Sequence, residues 1–242
     1  MSNSFLPASE NARVKVVQSF AELVGTPFAD GVNALCWPRV LAGDFDEIMA
    51  RLIEKHGAFE EITSLDDEDL LALELSEAGC VAREALLADQ RLLREHGLEP
   101  SLDVIPAYAR DAVVGPVPTT DVYSWHADSA NTVADTYLCS YSVSSSEGVR
   151  NEDAVCCVEV AETRAELLKI YGGADDDGFR MFLNEHFFDL HYVAKPGARV
   201  YSFGLGNLWR IATDHPGSPV PPCVHRAPET RAGQVPRLLL IS

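Results

Sequence analysis

The spacing of apolar residues changes near Pro100, and this change constrains the fold more than any other feature of the sequence. Before Pro100 the apolar residues recur at helical spacing, which predicts helices at 45–56, after a possible cap at Asp44, and at 66–95. After Pro100 the apolar runs have strand length and are bounded by Pro, Gly, Asp and Ser. The chain is therefore predicted to be helical in its first part and rich in strands in its second.

Many short strands without a regular alternation of strand and helix are typical of an antiparallel sandwich or jelly-roll barrel. We predict an α+β fold with a jelly-roll core and with the N-terminal helices packed outside it. A single domain is predicted over 1–242, mainly helical over 1–100 and jelly-roll over 101–242. Helices are also predicted at 163–171 and 178–188, and strands at 102–105, 122–126, 136–143, 154–160, 191–193, 199–203, 208–212, 223–226 and 237–241.

Composition and charge exclude several classes of partner. The chain has 37 acidic and 19 basic residues and a net charge of -18, which repels nucleic acid and anionic membranes. Residues 1–15 lack the apolar run of a secretion signal and no segment is long and apolar enough to span a bilayer, which predicts a cytoplasmic protein. The six cysteines lack disulfide spacing and are predicted to be reduced core residues, the alternative being a thiolate or redox pair at Cys156 and Cys157.

A candidate metal site begins where a predicted strand ends, at His126 and Asp128. In extended backbone, residues i and i+2 project to the same side, so this pair can hold one ion. The alternative is a surface strand end, because an accidental His-x-Asp is common in an acid-rich chain. His225 supplies a third ligand if the C-terminal segment forms a hairpin, and such a hairpin would pair the strand of His225 with the strand that begins at Arg237.

Two imidazoles and one carboxylate leave three positions free on an octahedral Fe(II), enough for a bidentate 2-oxo acid and dioxygen. The same ligands also hold catalytic zinc, so a metal-dependent hydrolase is an alternative. An arginine on the strand after the distal histidine can hold the far carboxylate of 2-oxoglutarate with two parallel hydrogen bonds. Arg237 begins an apolar run twelve positions after His225 and is the first candidate, and Arg231 in the preceding turn is the alternative.

With this order of motifs, the chain resembles the Fe(II)/2-oxoglutarate-dependent dioxygenase superfamily, whose fold is the double-stranded β-helix. More narrowly, it resembles a bacterial domain family without an assigned function, over most of the chain from about Val32 onward. The stretches that carry the resemblance are Asn33-Ala-Leu-Cys-Trp-Pro-Arg39, Trp125-His-Ala-Asp128, Tyr137-Leu-Cys-Ser-Tyr141 leading to Glu147-Gly148, His225-Arg-Ala-Pro228 and Arg237-Leu-Leu-Leu240.

The resemblance implies an oxygenase that uses Fe(II) and 2-oxoglutarate and acts on a small molecule or a protein side chain. It places His126, Asp128 and His225 at the metal and catalytic centre, Arg237 at the co-substrate carboxylate, and Tyr108 beside Arg237. The alternative is a non-catalytic, cupin-like protein that binds a metal or ligand. Asp128 and His225 are 97 positions apart, more than in compact members, and an insertion around 163–188 would account for the excess. The sequence leaves the oligomeric state open.

The histidines at 186, 191 and 215 each have a functional and a structural interpretation. His186, His191 and Glu185 could form a second metal cluster, but the stretch is better explained as an amphipathic helix that leads into a core strand. His215 could contact a substrate, but a solvated loop histidine is the commoner case.

Overall fold

The computed structural model describes residues 11–113, 115–231 and 233–242 and shows an α+β protein with two large β-sheets. The described residues form the helices α1 (Phe20–Gly25), α2 (Phe45–His56), α3 (Asp67–Leu71), α4 (Glu77–Glu95), α5 (Ala161–Tyr171) and α6 (Asp177–Glu185). The strands are β1 (Val14–Val16), β2 (Ala34–Trp37), β3 (Thr63–Leu65), β4 (Ser101–Ile105), β5 (Trp125–His126), β6 (Asp135–Ser140), β7 (Glu147–Val149), β8 (Ala154–Cys156), β9 (His191–Ala194), β10 (Val200–Ser202), β11 (Leu208–Ala212), β12 (Val224–Arg226) and β13 (Arg237–Ile241).

The larger sheet has the strand order β1-β2-β11-β6-β13-β4-β3, and the smaller has the order β10-β7-β12-β5-β9-β8. The pairs are antiparallel except for β1 with β2. Three strands of the larger sheet, β1 to β3, come from the part of the chain that was predicted to be mainly helical. They have three or four residues each, too few to show the alternation by which a strand is identified.

Three other sequence predictions were wrong in detail. The helix predicted at 66–95 is two helices, α3 and α4. Asp66 caps the first and Ser76 caps the second, so two helices begin within one continuous apolar pattern. The strand predicted at 154–160 ends at Cys156 and continues as a 3-10 turn. The expected pairing of β12 with β13 does not occur: β12 lies in the smaller sheet and β13 in the larger. The connection 227–236 is long enough to span the roughly 10 Å between packed sheets.

The two sheets enclose one apolar core, and the N-terminal helices cover a second. Leu138, Trp209 and Leu239 of the larger sheet meet Tyr201 and Cys223 of the smaller one. On the other face of the larger sheet, alternate residues pack against α1, α2 and α4. The space between the sheets is therefore lined by one face of each.

The segment between β7 and β10 contains β8, α5, α6 and β9. Its two helices pack on each other through Leu167, Phe179 and Leu183, close to the helices predicted at 163–171 and 178–188. Strand β9 returns to the smaller sheet and pairs with β5, next to His126. The long separation of Asp128 and His225 is therefore filled by a structured insertion.

Within the described residues, no helix is both long and apolar enough to cross a lipid bilayer. All six cysteines are free, and four of them are buried. Burial raises the pKa of Cys157 to about 12, and burial also raises the pKa of Cys156. Neither thiol is activated as a thiolate.

A buried ion pair holds α4 against the larger sheet. Arg39, just after β2, contacts Asp89 of α4 through two hydrogen bonds of 2.5 and 2.8 Å, and the Tyr141 hydroxyl donates to the same carboxylate at 2.7 Å. The side chains of Arg39 and Asp89 are only 10% and 4% exposed. Removing one partner would leave the other charge buried without compensation.

We expect Asp89→Ala to lower the free energy of unfolding by about 3–5 kcal/mol, because Arg39 stays buried. Glu54→Ala is the matched control, since it breaks the exposed Arg51–Glu54 pair and should cost less than about 1 kcal/mol. Chemical denaturation of both variants measures the difference. Equal losses would contradict the anchoring role of the buried pair.

Candidate metal centre and anion site

His126, Asp128 and His225 come together where β5 pairs with β12. His126 lies directly opposite His225 in this pairing, and Asp128 follows two residues after His126. The Asp128 Oδ1 atom lies 3.9 Å from the His126 Nε2 atom and 3.8 Å from the His225 Nε2 atom. Three potential ligand atoms, one per residue, lie within 4.8 Å of one another. Bonds of about 2.1 Å place ligand atoms on one octahedral face about 3 Å apart, so a bound ion would draw these three atoms closer together.

Both imidazoles are oriented by backbone carbonyls. The Nδ1 atom of His126 is 2.9 Å from the Ser124 carbonyl oxygen, and that of His225 is 3.3 Å from the Cys223 carbonyl oxygen. A proton on Nδ1 donated to the carbonyl leaves the Nε2 lone pair free, as in most histidine metal sites. In both residues the free nitrogen is the one that faces Asp128.

The Asp128 carboxylate is held from one side only. Its Oδ2 atom accepts a 2.6 Å hydrogen bond from the Thr136 hydroxyl at the start of β6, which leaves Oδ1 directed at the two imidazoles. The side chain of Asp128 is 31% exposed, whereas those of His126 and His225 are 12% and 9% exposed. The group is therefore most open to solvent at Asp128.

The electrostatics of the group favour a bound cation. Burial and the neighbouring His225 lower the pKa of His126 to about 4, so its imidazole is neutral and available as a ligand at neutral pH. Burial alone would raise the pKa of Asp128, but His225 and the Thr136 hydrogen bond outweigh it and lower that pKa. The result is an ionised carboxylate beside a neutral His126, and two imidazoles with one carboxylate are a donor set that fits Fe(II) or zinc.

No other cluster of three potential ligands occurs among the described residues, so the second metal cluster considered at 185–191 is not formed. His186 is exposed, and its Nδ1 atom contacts the carbonyl oxygen of Phe182. His191 is buried instead beside His126, with ring centroids 5.7 Å apart, and its Nδ1 atom lies 2.8 Å from the Ser124 hydroxyl. His191 therefore packs beside the candidate ligand His126 and is not one of the three clustered residues.

Arg237 is buried between the sheets without an acidic partner. The residue is 3% exposed, and one terminal nitrogen donates to the hydroxyls of Ser140 and Ser146 at 2.8 Å each. Its Nε atom is buried and has no hydrogen-bond partner. Tyr108 lies beside it, since the Tyr108 hydroxyl and the guanidinium influence each other's pKa. Arg237 and Tyr108, both predicted at the co-substrate carboxylate, are thus brought together.

The other well-buried arginines are paired differently. Arg39 contacts Asp89 at 2.5 Å and Arg210 contacts Asp135 at 2.7 Å, whereas Arg237 forms no ion pair with any described residue. Burial lowers the pKa of Arg237, as expected for a desolvated cation without a counter-charge. A buried guanidinium with an unused donor is a fitting site for a carboxylate ligand.

Comparisons with protein-family models, with curated proteins and with solved structures found no match. The resemblance to the dioxygenase superfamily therefore stays a prediction, and the geometry of the site supplies the grounds for a function.

Several supporting residues were not found from the sequence. Ser124 and Thr136 orient the candidate ligands His126 and Asp128, and Ser140 and Ser146 position Arg237. Serine and threonine are common in strands and loops, so neither residue type marks a site by itself. The two serines reach Arg237 only through long-range strand pairing, whereas Ser124 and Thr136 lie near their partners along the chain.

We expect Thr136→Val to weaken metal binding about tenfold, because Asp128 loses the hydrogen bond that orients it. Competition titration with Co(II) or Zn(II) measures the affinity. Thr63→Val on β3 is the matched control, since its hydroxyl bonds only to the exposed Glu61 backbone. Unchanged affinity in Thr136→Val would show that Asp128 does not need this support.

Proposed function

We propose that the protein is an Fe(II)- and 2-oxoglutarate-dependent oxygenase that hydroxylates an organic substrate. The main support for this proposal is that two features occur in the same fold: a cluster of three potential metal ligands, and Arg237, which is buried without a counter-charge. The hydrolase alternative explains the ligands but gives Arg237 no role.

The order of the strands supports a double-stranded β-helix core. The strands β4, β5, β6 and β7 pair antiparallel with β13, β12, β11 and β10, in reverse order along the chain. The four pairs are divided between the two sheets, two in each. An eight-stranded jelly roll has this arrangement of a long folded-back hairpin wrapped into two sheets.

Both parts of the proposed site face the space between the sheets. Along β12, His225 has the same side-chain direction as Cys223 of the inner core. Along β13, Arg237 has the same direction as Leu239 of that core. The metal ligands therefore approach from the smaller sheet and the arginine from the larger one.

The three protein ligands leave enough coordination positions for a 2-oxo acid and dioxygen, and bound Fe(II) supplies the oxygen-activating chemistry. His126 and His225 would hold the metal through their Nε2 atoms, and Asp128 would partly neutralise its charge. Arg237 binds the far carboxylate of 2-oxoglutarate, and Ser140 and Ser146 fix the plane of its guanidinium.

Tyr108 is placed to add a second hydrogen bond to that carboxylate. Burial raises its pKa even though Arg237 opposes the shift, so the hydroxyl stays protonated and can donate. The Tyr108 backbone nitrogen donates to the hydroxyl of the buried Tyr123 at 2.9 Å, which fixes the segment that carries the ring.

The first test is an anaerobic titration of metal-free protein with Fe(II) and then 2-oxoglutarate, followed by the visible metal-to-ligand charge-transfer band. We expect the band in the wild type and a large loss of 2-oxoglutarate affinity in Arg237→Gln, because the carboxylate loses a charged, two-pronged donor. Arg231→Gln is the matched control in the neighbouring turn and should retain the wild-type affinity.

Iron binding without the band would favour a cupin-like binding protein over an oxygenase. A loss in Arg231→Gln but not in Arg237→Gln would move the carboxylate clamp to the turn. Hydrolysis of ester or amide substrates with zinc bound would favour the hydrolase.

We also expect His126→Ala and Asp128→Ala to lose iron binding while they retain the fold, because both side chains lie at the edge of the core. Iron content after dialysis and the circular dichroism spectrum measure the two properties. His186→Ala removes an exposed histidine outside the centre and should bind iron normally. Normal iron content in both ligand variants would refute the metal centre.

A further inference from the structure

A polar cleft of about 510 Å³ borders the segment that follows Asp128 and is large enough for a small metabolite. Three parts of the chain line it: residues 129–131, which follow the ligand Asp128; Asn184 and Phe187 of the insertion; and residues 214–216, which follow β11. The cleft therefore begins one residue from Asp128, the most exposed of the three proposed ligands. No lysine or arginine is among its lining residues.

Asp214 is fixed in this cleft by the backbone next to Asp128. Its amide donates to the Asp128 carbonyl at 2.7 Å, and its carbonyl accepts from the Ala130 amide at 2.9 Å. Ser129 and Asp214 form a parallel bridge. Asp214 is exposed, and its carboxylate forms no ion pair with a described residue. The backbone of Asp214 is thus held against that of the proposed ligand Asp128, and its carboxylate is unpaired in the cleft.

Carboxylates also gather behind the cleft wall, around Tyr192 of β9. Burial raises the pKa of this phenol, and Cys156, Asp214, Glu159 and Asp189 add to the rise. Asp189 has one buried oxygen without a hydrogen-bond partner, and its other oxygen receives only a 3.4 Å contact from Asn184 of the cleft wall. A positive charge in the cleft would relieve this imbalance.

Phe187 forms the apolar side of the cleft. It is 56% exposed although it is a large aromatic residue, and its φ of 60° places a non-glycine residue in the left-handed region. Backbone strain of this kind is maintained where the surrounding structure requires a particular side-chain position. An exposed ring across from a carboxylate is suited to a cation with an aliphatic or planar body.

We propose that this cleft binds the substrate and that the substrate is a small cation, an amine or guanidinium compound, recognised by Asp214 and Phe187. The identification of this cation as the substrate rests on the proposed oxygenase function, whereas the binding site itself does not. Asp214 neutralises the cationic group, and Phe187 contacts the carbon chain beside it.

The test is ligand-observed NMR of the full-length chain with butane-1,4-diamine and with agmatine, without 2-oxoglutarate. Butane-1,4-diol, which has similar length and no charge, is the neutral probe. We expect both cations to bind and the diol not to bind. Asp214→Asn should weaken cation binding about tenfold, since a charge-assisted hydrogen bond is lost, and Phe187→Ala should weaken it to a smaller extent.

Glu185→Gln is the matched control, because it removes an exposed carboxylate of the same insertion outside the lining of the cleft. Equal binding of diamine and diol, no binding of either cation, or equal effects of Asp214→Asn and Glu185→Gln would overturn the proposal. If cations bind and binding depends on Asp214, but the charge-transfer band does not form, the binding site is supported and the oxygenase function is refuted. If the band forms but no cation binds, the oxygenase function is supported and the cationic substrate is refuted.

Discussion

The pairing of early strands with late strands, in reverse order, is the constraint on which the rest of the molecule depends. His126 and His225 are distant in sequence and become neighbours only because β5 pairs with β12. Strand β5 has two residues and is held on both sides, by β12 and β9. A shift of one residue in either pairing would turn an imidazole to the opposite face of the sheet. The metal centre therefore requires one register of the smaller sheet.

Two buried arginines, Arg39 and Arg237, differ in whether a carboxylate neutralises their charge. Arg39 is compensated by Asp89, whose carboxylate also accepts from the Tyr141 hydroxyl, and the pair fastens α4 to the larger sheet. Arg237 lies among serine and tyrosine hydroxyls that orient it but do not neutralise it. Burial of an unneutralised guanidinium opposes folding, so its position between the sheets favours the proposed binding of a carboxylate over a stabilising role.

Helices and strands with distinct turn or capping residues at their ends were predictable from the sequence. Helix α2 and the strands β11 and β13 occur at the predicted positions, because each is a periodic or apolar run bounded by turn or capping residues. The long predicted helix failed because Ser76 starts a new helix inside a continuous apolar pattern. The three N-terminal strands were missed because they are very short. Local spacing alone pointed to His126 and Asp128. The hydrogen bond from Thr136 to Asp128 spans eight positions that form no known motif, and the serines beside Arg237 reach it only through long-range strand pairing.

The insertion between β7 and β10 leaves and rejoins the smaller sheet at two strands that pair directly with each other. Strand β9 of the insertion is constrained, because it pairs with β5 beside His126. Asn184 and Phe187 lie outside the strands, whereas the proposed metal ligands and Arg237 belong to the paired strands or the residues next to them. Substitutions around Asn184 and Phe187 can therefore change what the cleft recognises without moving the strands that carry the proposed ligands, a modular division within one insertion.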